Sequence, residues 1–346
     1  MLRFVAPCLL SLVACSSPEE PVVELRGPTM GTTWTVTIAG IHDRADSARA
    51  EQVILRTLAD VDRTLSAWNT RSELSALNDD RQGDWLRVSE PLYTVLDAAL
   101  DVSRRTSGAF DVTVAPLVAV WGFGAYATTN VALPSEAQIQ DARTLVGPGM
   151  LELRASPREA RKHAPGVRLD LDGIAPGYAV DRISRELAAL GFDSHIVEIG
   201  GEVRCRGRAP GERPWRVAVE RPQAGARIAQ IIVALDGLGI SSSGDYRDYR
   251  LVDGKRISHT IDPRNGRPVE HELASVSVVH ESVMMADAYA TALMVLGPAA
   301  GYDLAERLEL PALFIEHADH GFAMRATPLF ERLQIRDRTL QRGAHY

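Results

Sequence analysis

Helical and strand-like patterns of apolar residues alternate along this chain without a regular β-α-β order. Apolar residues recur at helical spacing from Ala45 to Leu65, and a second helix is predicted from Ser89, a cap residue followed by an early proline. Residues 195–279, by contrast, are mostly strand-like. An irregular order of this kind favours an α+β fold over a doubly wound parallel sheet.

Several shorter patterns predict individual elements. They are a strand at 33–38, a capped helix start at 135–138, a hairpin joining 249–252 to 256–261 through an Asp253-Gly254 turn, and a helix at 282–296. In addition, Val167, Leu169 and Leu171 alternate with polar residues, which predicts a strand with one apolar face. A Gly/Pro turn leads from this strand into a helix predicted over 177–190, which Gly191 closes.

The composition is that of a globular chain without a membrane-spanning segment. With 346 residues and 45% hydrophobic content, the chain can bury a core in one large or two medium domains. Its 38 basic and 45 acidic residues give a net charge of −7, and they form no block of like charges, which argues against a nucleic-acid partner. No apolar run approaches the roughly 20 residues that cross a bilayer, so a polytopic membrane protein is excluded.

The first residues resemble the export signal of a bacterial lipoprotein. Arg3 precedes an apolar stretch at 4–13, and small residues lead to Cys15. This pattern predicts a signal peptide over 1–14, lipidation of Cys15, and a lipid-anchored protein that faces the periplasm. Ser16 favours the outer membrane as the site of the anchor, and the inner membrane stays open. An ordinary secretory signal with a chance cysteine is the alternative.

The segment after Cys15 is rich in proline and glutamate, which predicts a tether over 15–27 between the lipid and the fold. Once Cys8 leaves with the signal and Cys15 is acylated, Cys205 is the only free thiol. The sequence therefore predicts neither an intrachain disulfide nor a thiolate metal cluster. We assign Cys205 no function, because a lone buried cysteine usually behaves as a small hydrophobic residue.

Gly- and Asp-rich segments stand where loops meet the ends of predicted elements, which is where ligand sites are commonly built. They are 108–111, 170–178 and 241–245, and the last is followed by 258–263 and 285–291. The second segment is a strand-turn-helix whose backbone N–H groups could hold phosphate. It lacks the Lys and Ser/Thr of a P-loop and the spacing of a dinucleotide fingerprint, so taken alone it is better explained as a structural turn.

Asp287 and Thr291 are four residues apart on a predicted helix, so their oxygens face the same way. Together with a nearby turn carbonyl they are hard oxygen donors, which suit Mg²⁺ far better than zinc. The plainer alternative is a threonine packed beside a solvated carboxylate. Among the nine histidines, His259 is the best candidate for a proton carrier, although any one histidine taken alone is more often structural.

Taken together, these segments resemble the ApbE-type FAD:protein FMN transferases over nearly the whole predicted mature chain. The blocks that carry the resemblance are Met30-Gly31-Thr32, Ser66–Asn69 with Ser72–Ser75, Gly108–Thr113, Asp170–Asp181, Gly200-Gly201, Ser243–Tyr246, His259–Pro263 with Gly266, and Ala286-Asp287 with Thr291. The resemblance implies an α+β fold with mixed or antiparallel sheets, packed helices and an FAD site in a central cleft. It implies one catalytic domain over 28–335 and a C-terminal tail over 336–346.

The resemblance also implies an activity. Such an enzyme binds FAD, splits its diphosphate with Mg²⁺, and attaches FMN by a phosphoester bond to a Thr or Ser hydroxyl of another protein, releasing AMP. The implied acceptor is a subunit of a membrane redox complex. Phosphoryl transfer needs positioning and charge neutralisation more than a protein nucleophile, and the chain offers no convincing Ser/His/Asp or Cys/His arrangement. The alternatives are an FAD diphosphatase that gives FMN and AMP, and a non-catalytic flavin-binding lipoprotein.

Site residues follow from the same resemblance. The implied flavin-binding residues are Met30, Trp68, Ala109, Phe110, Asp111, Asp170, Pro176 and Ser258. The implied metal ligands are the backbone carbonyl of Gly173 and the side chains of Asp287 and Thr291. His259 matches the histidine that helps to deprotonate the acceptor hydroxyl.

Three positions differ from the commoner family pattern. Trp68 stands where tyrosine is frequent, which keeps a stacking surface for the isoalloxazine ring. Pro176 stands where lysine or glutamate is frequent, so a charge contact to the nucleotide is lost there. Asp172 replaces a small residue in the same turn, and we expect a solvated carboxylate rather than a group that acts near the metal.

Overall fold

The computed structural model of this chain describes residues 21–127, 133–223, 228–245, 249–252 and 254–335, with the backbone alone at residue 255. Several predicted features therefore lie outside the described residues. They are the signal peptide over 1–14, the lipidated Cys15, the first part of the tether, Tyr246, Asp253 and the tail over 336–346.

Helices and strands are interleaved along the described chain, as the sequence predicts. The helices are α1 (Arg44–Leu65), α2 (Glu73–Asp79), α3 (Glu90–Arg105), α4 (Ala115–Val120), α5 (Glu136–Arg143), α6 (Ala175–Ala189), α7 (Val283–Arg307) and α8 (Pro328–Glu331). The strands are β1 (Val22–Thr29), β2 (Thr32–Ala39), β3 (Leu86–Arg87), β4 (Leu151–Ala155), β5 (Arg158–Lys162), β6 (His195–Ile199), β7 (Glu202–Arg206), β8 (Trp215–Glu220), β9 (Ala229–Leu235), β10 (Gly239–Gly244), β11 (Tyr249–Val252), β12 (Lys255–Ser258), β13 (Ile261–Asp262), β14 (Arg267–Pro268), β15 (Leu273–His280), β16 (Ala312–Ala318) and β17 (Gly321–Ala326).

Eight strands form one large sheet in the order β1-β2-β6-β7-β10-β15-β16-β17, and every neighbouring pair is antiparallel. Helices α6 and α7 pack on one face of this sheet, and α1 packs on α6. The β8–β9 hairpin lies on the other face and buries a second apolar cluster that includes Trp215, Val233 and Phe330. The expected α+β fold with antiparallel sheets and packed helices is therefore confirmed.

Local sequence signals explain where several elements begin. Ser89 caps α3, and its Oγ accepts a hydrogen bond from Leu92 N. Ser135 and Gln138 form a reciprocal capping box at the start of α5, as predicted. Cys205 is buried beneath the β8–β9 hairpin, and burial raises the pKa of its thiol to about 12, so the thiol stays protonated and unreactive.

The predicted tether over 15–27 is wrong from Val22 onward. Residues 22–29 form strand β1, which pairs with β2 from Val22 opposite Ala39 to Thr29 opposite Thr32. Val23 and Leu25 turn towards the main core, while the residues between them face solvent. The fold therefore begins before the predicted boundary at residue 28. The sequence did not show this strand, because an edge strand needs only one apolar face and charged residues interrupt the pattern here.

The predicted strand at 167–171 is also wrong as a ladder strand, although its alternation is real. Val167, Leu169 and Leu171 are all buried, but the segment pairs with no strand among the described residues. Side chains replace the missing ladder. Asn78 Oδ1 accepts from Leu169 N at 2.7 Å, and Asn78 Nδ2 donates to Leu169 O at 2.9 Å. Lys162 Nζ donates to Asn78 O at 2.6 Å and to Val167 O at 3.0 Å.

Replacing Lys162 with methionine should destabilise the fold. The side chain of Lys162 is 1% exposed, and its loss would leave two buried carbonyl oxygens without a donor. Each such oxygen costs about 1–3 kcal/mol, so we expect the free energy of unfolding to fall by about 2–5 kcal/mol. Urea unfolding measures this change, and Arg158→Met, at an exposed position of the same strand, is the control. Equal stability of the two variants would show that the hydrogen bonds of Lys162 do not stabilise the fold.

Helix α7 is long and apolar enough to cross a membrane by length and composition, but most of it is buried inside the fold. It packs against α6, β10 and β15, which makes it the central core helix. Its first helical part ends at residue 296, as predicted, because Gly297 has a positive φ of 79° and is not helical. After this kink a second helical part, which starts at Pro298, runs on to Arg307.

Candidate active site

Two cavities meet at the loop that leads into α6. The inner cavity, of about 330 Å³, lies at the end of the large sheet, where α7, the 109–111 segment and the loop after β12 converge. The outer cavity, of about 650 Å³, lies between the β1–β2 turn and the loop after α1. Asp172 lines both cavities, so the two form one cleft that is divided by this residue.

The three predicted metal ligands come together in the inner cavity. A Cβ placed on Gly173 would lie 2.9 Å from Thr291 Oγ1, so the backbone of Gly173 and the hydroxyl of Thr291 are in close contact. Asp287 is one helical turn away on α7 and is 4% exposed. Ser243 approaches the same place from β10, with its Oγ 3.4 Å from Thr291 Oγ1.

A close approach of two helices holds Asp287 in position. A Cβ on Gly177 would lie 2.5 Å from Val283 O, so only glycine lets the start of α6 pack against the start of α7. At this contact Gly177 N donates to Asp287 Oδ2 at 3.1 Å. Burial raises the pKa of Asp287 well above its ordinary value, and the negative charges of Glu202 and Asp172 raise it further.

The donors at this point fit a hard divalent cation. They are a buried carboxylate, a hydroxyl and the adjoining turn, and the carboxylate lies among other acidic groups whose repulsion a cation would relieve. Within the described part of the chain, no three His, Cys, Asp or Glu side chains converge as a metal cluster. The donors named above are oxygen atoms, the ligand type that Mg²⁺ takes in proteins.

Asp170 and Asp172 form an acidic pair at the wall between the cavities. Asp170 N donates to Val112 O at 2.7 Å, which ties this loop to the 109–111 segment, and Asp170 Oδ1 accepts from Asp172 N at 2.9 Å. Burial raises the pKa of Asp170 to about 7, and the neighbouring charge of Asp172 adds to the shift.

Asp172 is exposed to solvent, as the sequence predicts, but it stands at the mouth of the site, where it lines both cavities. Desolvation by the surrounding cavity walls raises its pKa. A hydrogen bond from the Trp68 side chain and the nearby His259 act in the opposite direction. Asp172 therefore belongs to the site, because the turn before α6 directs it between the flavin-lining residues and the donors for a cation.

The shifted pKa of Asp170 predicts how stability depends on pH. An unfolded aspartate titrates near pH 4, whereas the folded group titrates near 7, so the folded state holds the extra proton between these values. This group therefore makes the protein less stable as pH rises from about 4 to about 7, by about 2–4 kcal/mol in all. We expect Asp170→Asn to gain stability over the wild type in urea unfolding at pH 8 and much less at pH 5. An equal gain in stability at both pH values would contradict the raised pKa of Asp170.

The outer cavity holds three of the predicted flavin-lining residues, Met30, Trp68 and Pro176. Trp68 is 65% exposed and Met30 is 41% exposed, although both are large apolar side chains at the mouth of a cavity. The loop that carries Trp68 is fixed by Ser66, whose Oγ accepts from Trp68 N and Asn69 N, each at 3.2 Å. An exposed indole on an anchored loop is a stacking surface for an aromatic ligand.

Ala109, Phe110 and Asp111 line the inner cavity, together with Asp170. Asp111 Oδ1 accepts from Thr113 N at 2.8 Å and from Thr113 Oγ1 at 2.6 Å. Its other oxygen, Oδ2, is buried without a hydrogen-bond partner among the described residues, and burial raises the pKa of the carboxyl. A buried oxygen without a partner at a cavity wall is suited to accept a hydrogen bond from a ligand.

His259 and Thr260 line the inner cavity from the loop after β12. The ring of His259 packs edge-to-face on Phe123, with 6.4 Å between the ring centroids. Ser258 is buried next to them, and its Oγ accepts from Thr260 N at 3.2 Å. Ser258 therefore supports the loop that presents His259 to the cavity.

Two residues that line the inner cavity, Glu202 and Ser242, were given no role from the sequence. Glu202 directly follows the Gly200-Gly201 turn, and its charge acts on Asp287. Ser242, from the serine run on β10, lines the cavity beside Ser243. The serine run was visible as a pattern, but Glu202 gave no signal because nothing in the sequence shows that β7 lies beside α7.

The site combines an exposed aromatic stacking surface, an enclosed acidic cavity with oxygen donors for a cation, and a histidine at the cavity wall. An α+β fold with this cleft defines an enzyme that acts on a phosphate-bearing aromatic ligand. The chain belongs to the ApbE family, whose model matches residues 30–314.

Relatives and known structures agree over nearly the full length. The chain is 38% identical to the FAD:protein FMN transferase of Vibrio cholerae over 93% of this chain and 96% of that protein. It is 35% identical to the FAD:protein FMN transferase of Escherichia coli K12 over 95% and 96%. The structure of the flavin transferase ApbE from Vibrio cholerae superimposes with a TM-score of 0.82, covering 91% of this chain and all of that one. The apo flavinyl transferase ApbE from Pseudomonas stutzeri gives 0.83 at 38% identity, over 92% and 98%.

Proposed function

We propose that the protein is an FAD:protein FMN transferase, which attaches FMN through a phosphoester bond to a Thr or Ser hydroxyl of an acceptor protein and releases AMP. The observation that carries the proposal is the divided cleft. Its outer part offers Trp68 to an aromatic ring system, and its inner part gathers Gly173, Asp287 and Thr291 around a space for phosphates. The family to which the chain belongs supports the same activity.

The reaction exchanges one phosphorus–oxygen bond for another. The oxygen of the acceptor hydroxyl forms a bond to the phosphorus on the FMN side of the diphosphate. The bond from this phosphorus to the bridging oxygen breaks, and AMP leaves with that oxygen. The proton of the hydroxyl passes to His259, which lines the cavity where the hydroxyl must arrive.

Magnesium held by the Gly173 carbonyl, Asp287 and Thr291 would neutralise diphosphate charge and so stabilise the departing AMP. The protein's own groups have the remaining roles. Trp68 and Met30 orient the isoalloxazine ring in the outer cavity, and Asp111 accepts a hydrogen bond from the nucleotide in the inner cavity. Pro176 offers only an apolar surface at its position.

The anchor and the partner are part of the same proposal. Lipidation at Cys15 would hold the enzyme at a bacterial membrane on the periplasmic side, where a redox complex presents its acceptor subunit. The lipoprotein-like pattern of the N-terminus supports this location. Metabolic labelling with a palmitate analogue tests it, because Cys15→Ala should lose both the label and the membrane fraction.

The test of the activity uses the purified protein with FAD, Mg²⁺ and a flavin-accepting domain that the Vibrio cholerae relative modifies. We expect flavin fluorescence that stays with the denatured acceptor and one AMP for each flavin attached. AMP release with no flavin on the acceptor would instead identify an FAD diphosphatase. Bound FAD with neither product would identify a flavin-binding protein.

A further inference from the structure

A groove between the β8–β9 hairpin and the large sheet opens into the inner cavity. Its volume is about 400 Å³. Its floor is formed by residues of β6, β7, β10 and β15, and its roof by residues 216–220 of β8 with Ala229 of β9. Three residues, Gly200, Ser242 and Ser243, line both this groove and the inner cavity. The groove is therefore a second entrance to the place where phosphate would be transferred.

One edge of β10 is open at this entrance. β10 pairs with β15 along its whole length, from Gly239 to Gly244, but it pairs with β7 only at Gly239 and Ile240. In the described chain, no strand covers residues 242–244 on the β7 side. Beside them lies the Gly200-Gly201 turn, where a Cβ placed on Gly201 would meet no atom within 4 Å. The space beside Gly201 is therefore open at this edge.

The backbone N–H and C=O groups at this edge are oriented for pairing with an added strand. Cys205 N donates to Leu238 O on the β7 side, and Asp245 N donates to Ala274 O on the β15 side. Because backbone groups alternate along an antiparallel strand, the N–H and C=O groups of Ser242 and Gly244 face the open edge. An unpaired edge of this kind binds an extended peptide through main-chain hydrogen bonds.

The side-chain alternation would direct the added strand into the site. Ser243 faces α7, with its Oγ 3.4 Å from Thr291 Oγ1. A residue directly opposite Ser243 on an added strand would share this face, with its Cβ about 5 Å from that of Ser243. Its hydroxyl would enter the inner cavity beside the predicted metal ligands.

The groove offers polar contacts to the flanking residues of such a strand. Ser275 is 5% exposed and lines the groove, and its Oγ has no hydrogen-bond partner among the described residues. Ser242 and Ser277 lie beside it and share a hydrogen bond of 2.6 Å. A buried hydroxyl without a partner costs free energy unless a ligand or water satisfies it.

We infer that an extended segment of the acceptor protein binds in this groove as an added strand on residues 242–244, and so presents its Thr or Ser hydroxyl opposite Ser243. This inference rests on the proposed transferase activity and names the surface that the protein substrate uses. FAD then enters through the outer cavity and the acceptor through the groove. The hydroxyl proton passes to His259, and AMP leaves as above.

The test blocks the groove without touching the cleft. Ile196 lines the floor of the groove from β6, is half-buried on the hairpin side of the sheet and is absent from the walls of both other cavities, so Ile196→Trp should fill the groove alone. We expect the rate of FMN transfer to the acceptor domain to fall about tenfold or more, which corresponds to 1.4 kcal/mol. FAD affinity and the slow release of AMP to water should stay unchanged. Ala323→Trp, at an exposed position of β17, is the matched control and should transfer at the wild-type rate.

Hydrogen exchange tests directly whether an acceptor strand pairs with β10. Hydrogen exchange of the wild-type protein should slow in 239–245 when the acceptor domain is added. Normal transfer by Ile196→Trp, or no slowing in 239–245, overturns the inference and leaves the transferase proposal intact. Loss of FAD binding in Ile196→Trp also overturns it, because the groove would then belong to the nucleotide. If the wild type itself attaches no flavin, the proposed function fails and the inference fails with it.

Discussion

Replacing Asp287 with asparagine should slow turnover strongly and leave FAD bound. Asparagine keeps an oxygen that can accept from Gly177 N, so the contact between α6 and α7 is preserved. It removes the one negative charge among the three predicted metal ligands. Losing a group that stabilises developing charge in an enclosed site commonly costs about 10²- to 10³-fold in rate, and we expect a loss at the upper end.

The measurement is AMP release with saturating FAD and Mg²⁺, together with FAD binding followed by quenching of flavin fluorescence. Asp303→Asn is the matched control, because Asp303 lies on the same helix with an exposed side chain. It should behave as the wild type in both assays. Normal AMP release by Asp287→Asn would show that the predicted metal site is wrong.

Asp287→Asn also has an expected effect that does not depend on activity. The buried carboxylate lies near Glu202 and Asp172, so without a cation its charge is a cost to the folded state. In a chelator at pH 8, the melting temperature of Asp287→Asn should therefore exceed that of the wild type. Adding Mg²⁺ should raise the melting temperature of the wild type and leave that of the variant unchanged. If Mg²⁺ stabilises both proteins equally, the ion binds elsewhere.

Patterns of local origin were predictable from the sequence, and contacts between distant segments were not. The caps at Ser89 and Ser135 are local, and both helices begin where their patterns indicate. The alternation of apolar and polar residues at 167–171 correctly predicted which side chains are buried. A β-strand also needs a neighbouring strand for its backbone hydrogen bonds, and the sequence does not show whether one is present. The partner here is the side chain of Asn78, which lies 91 residues away from Leu169.

The same limit applies to the site. Gly173, Asp287 and Thr291 were placed together on the basis of a family resemblance, and the structure does bring them together. Asp172 is exposed, as expected, but the sequence did not show that its turn lines both cavities. That position depends on Trp68 and on the start of α6, which are far from each other in the sequence.

Replacing His259 with alanine should slow FMN transfer more than it weakens FAD binding. His259 lines the inner cavity beside Thr260, whereas Trp68 lines the outer cavity. A positioned general base contributes about 10²- to 10⁴-fold to a rate, so we expect a loss in that range for transfer to the acceptor domain. His163→Ala is the control, because His163 is exposed and pairs with Glu152 on a separate small sheet.

Two further readouts separate a base from a residue that only shapes the loop. If His259 removes the proton, added imidazole should restore part of the transfer rate of His259→Ala, since it can occupy the vacated space as a base. A purely structural role predicts no rescue and a lower melting temperature. The fall should appear in kcat rather than in KM for FAD, because the histidine acts on the acceptor hydroxyl and not on the bound nucleotide. An unchanged transfer rate would remove His259 from the mechanism and leave the proton to the departing phosphate.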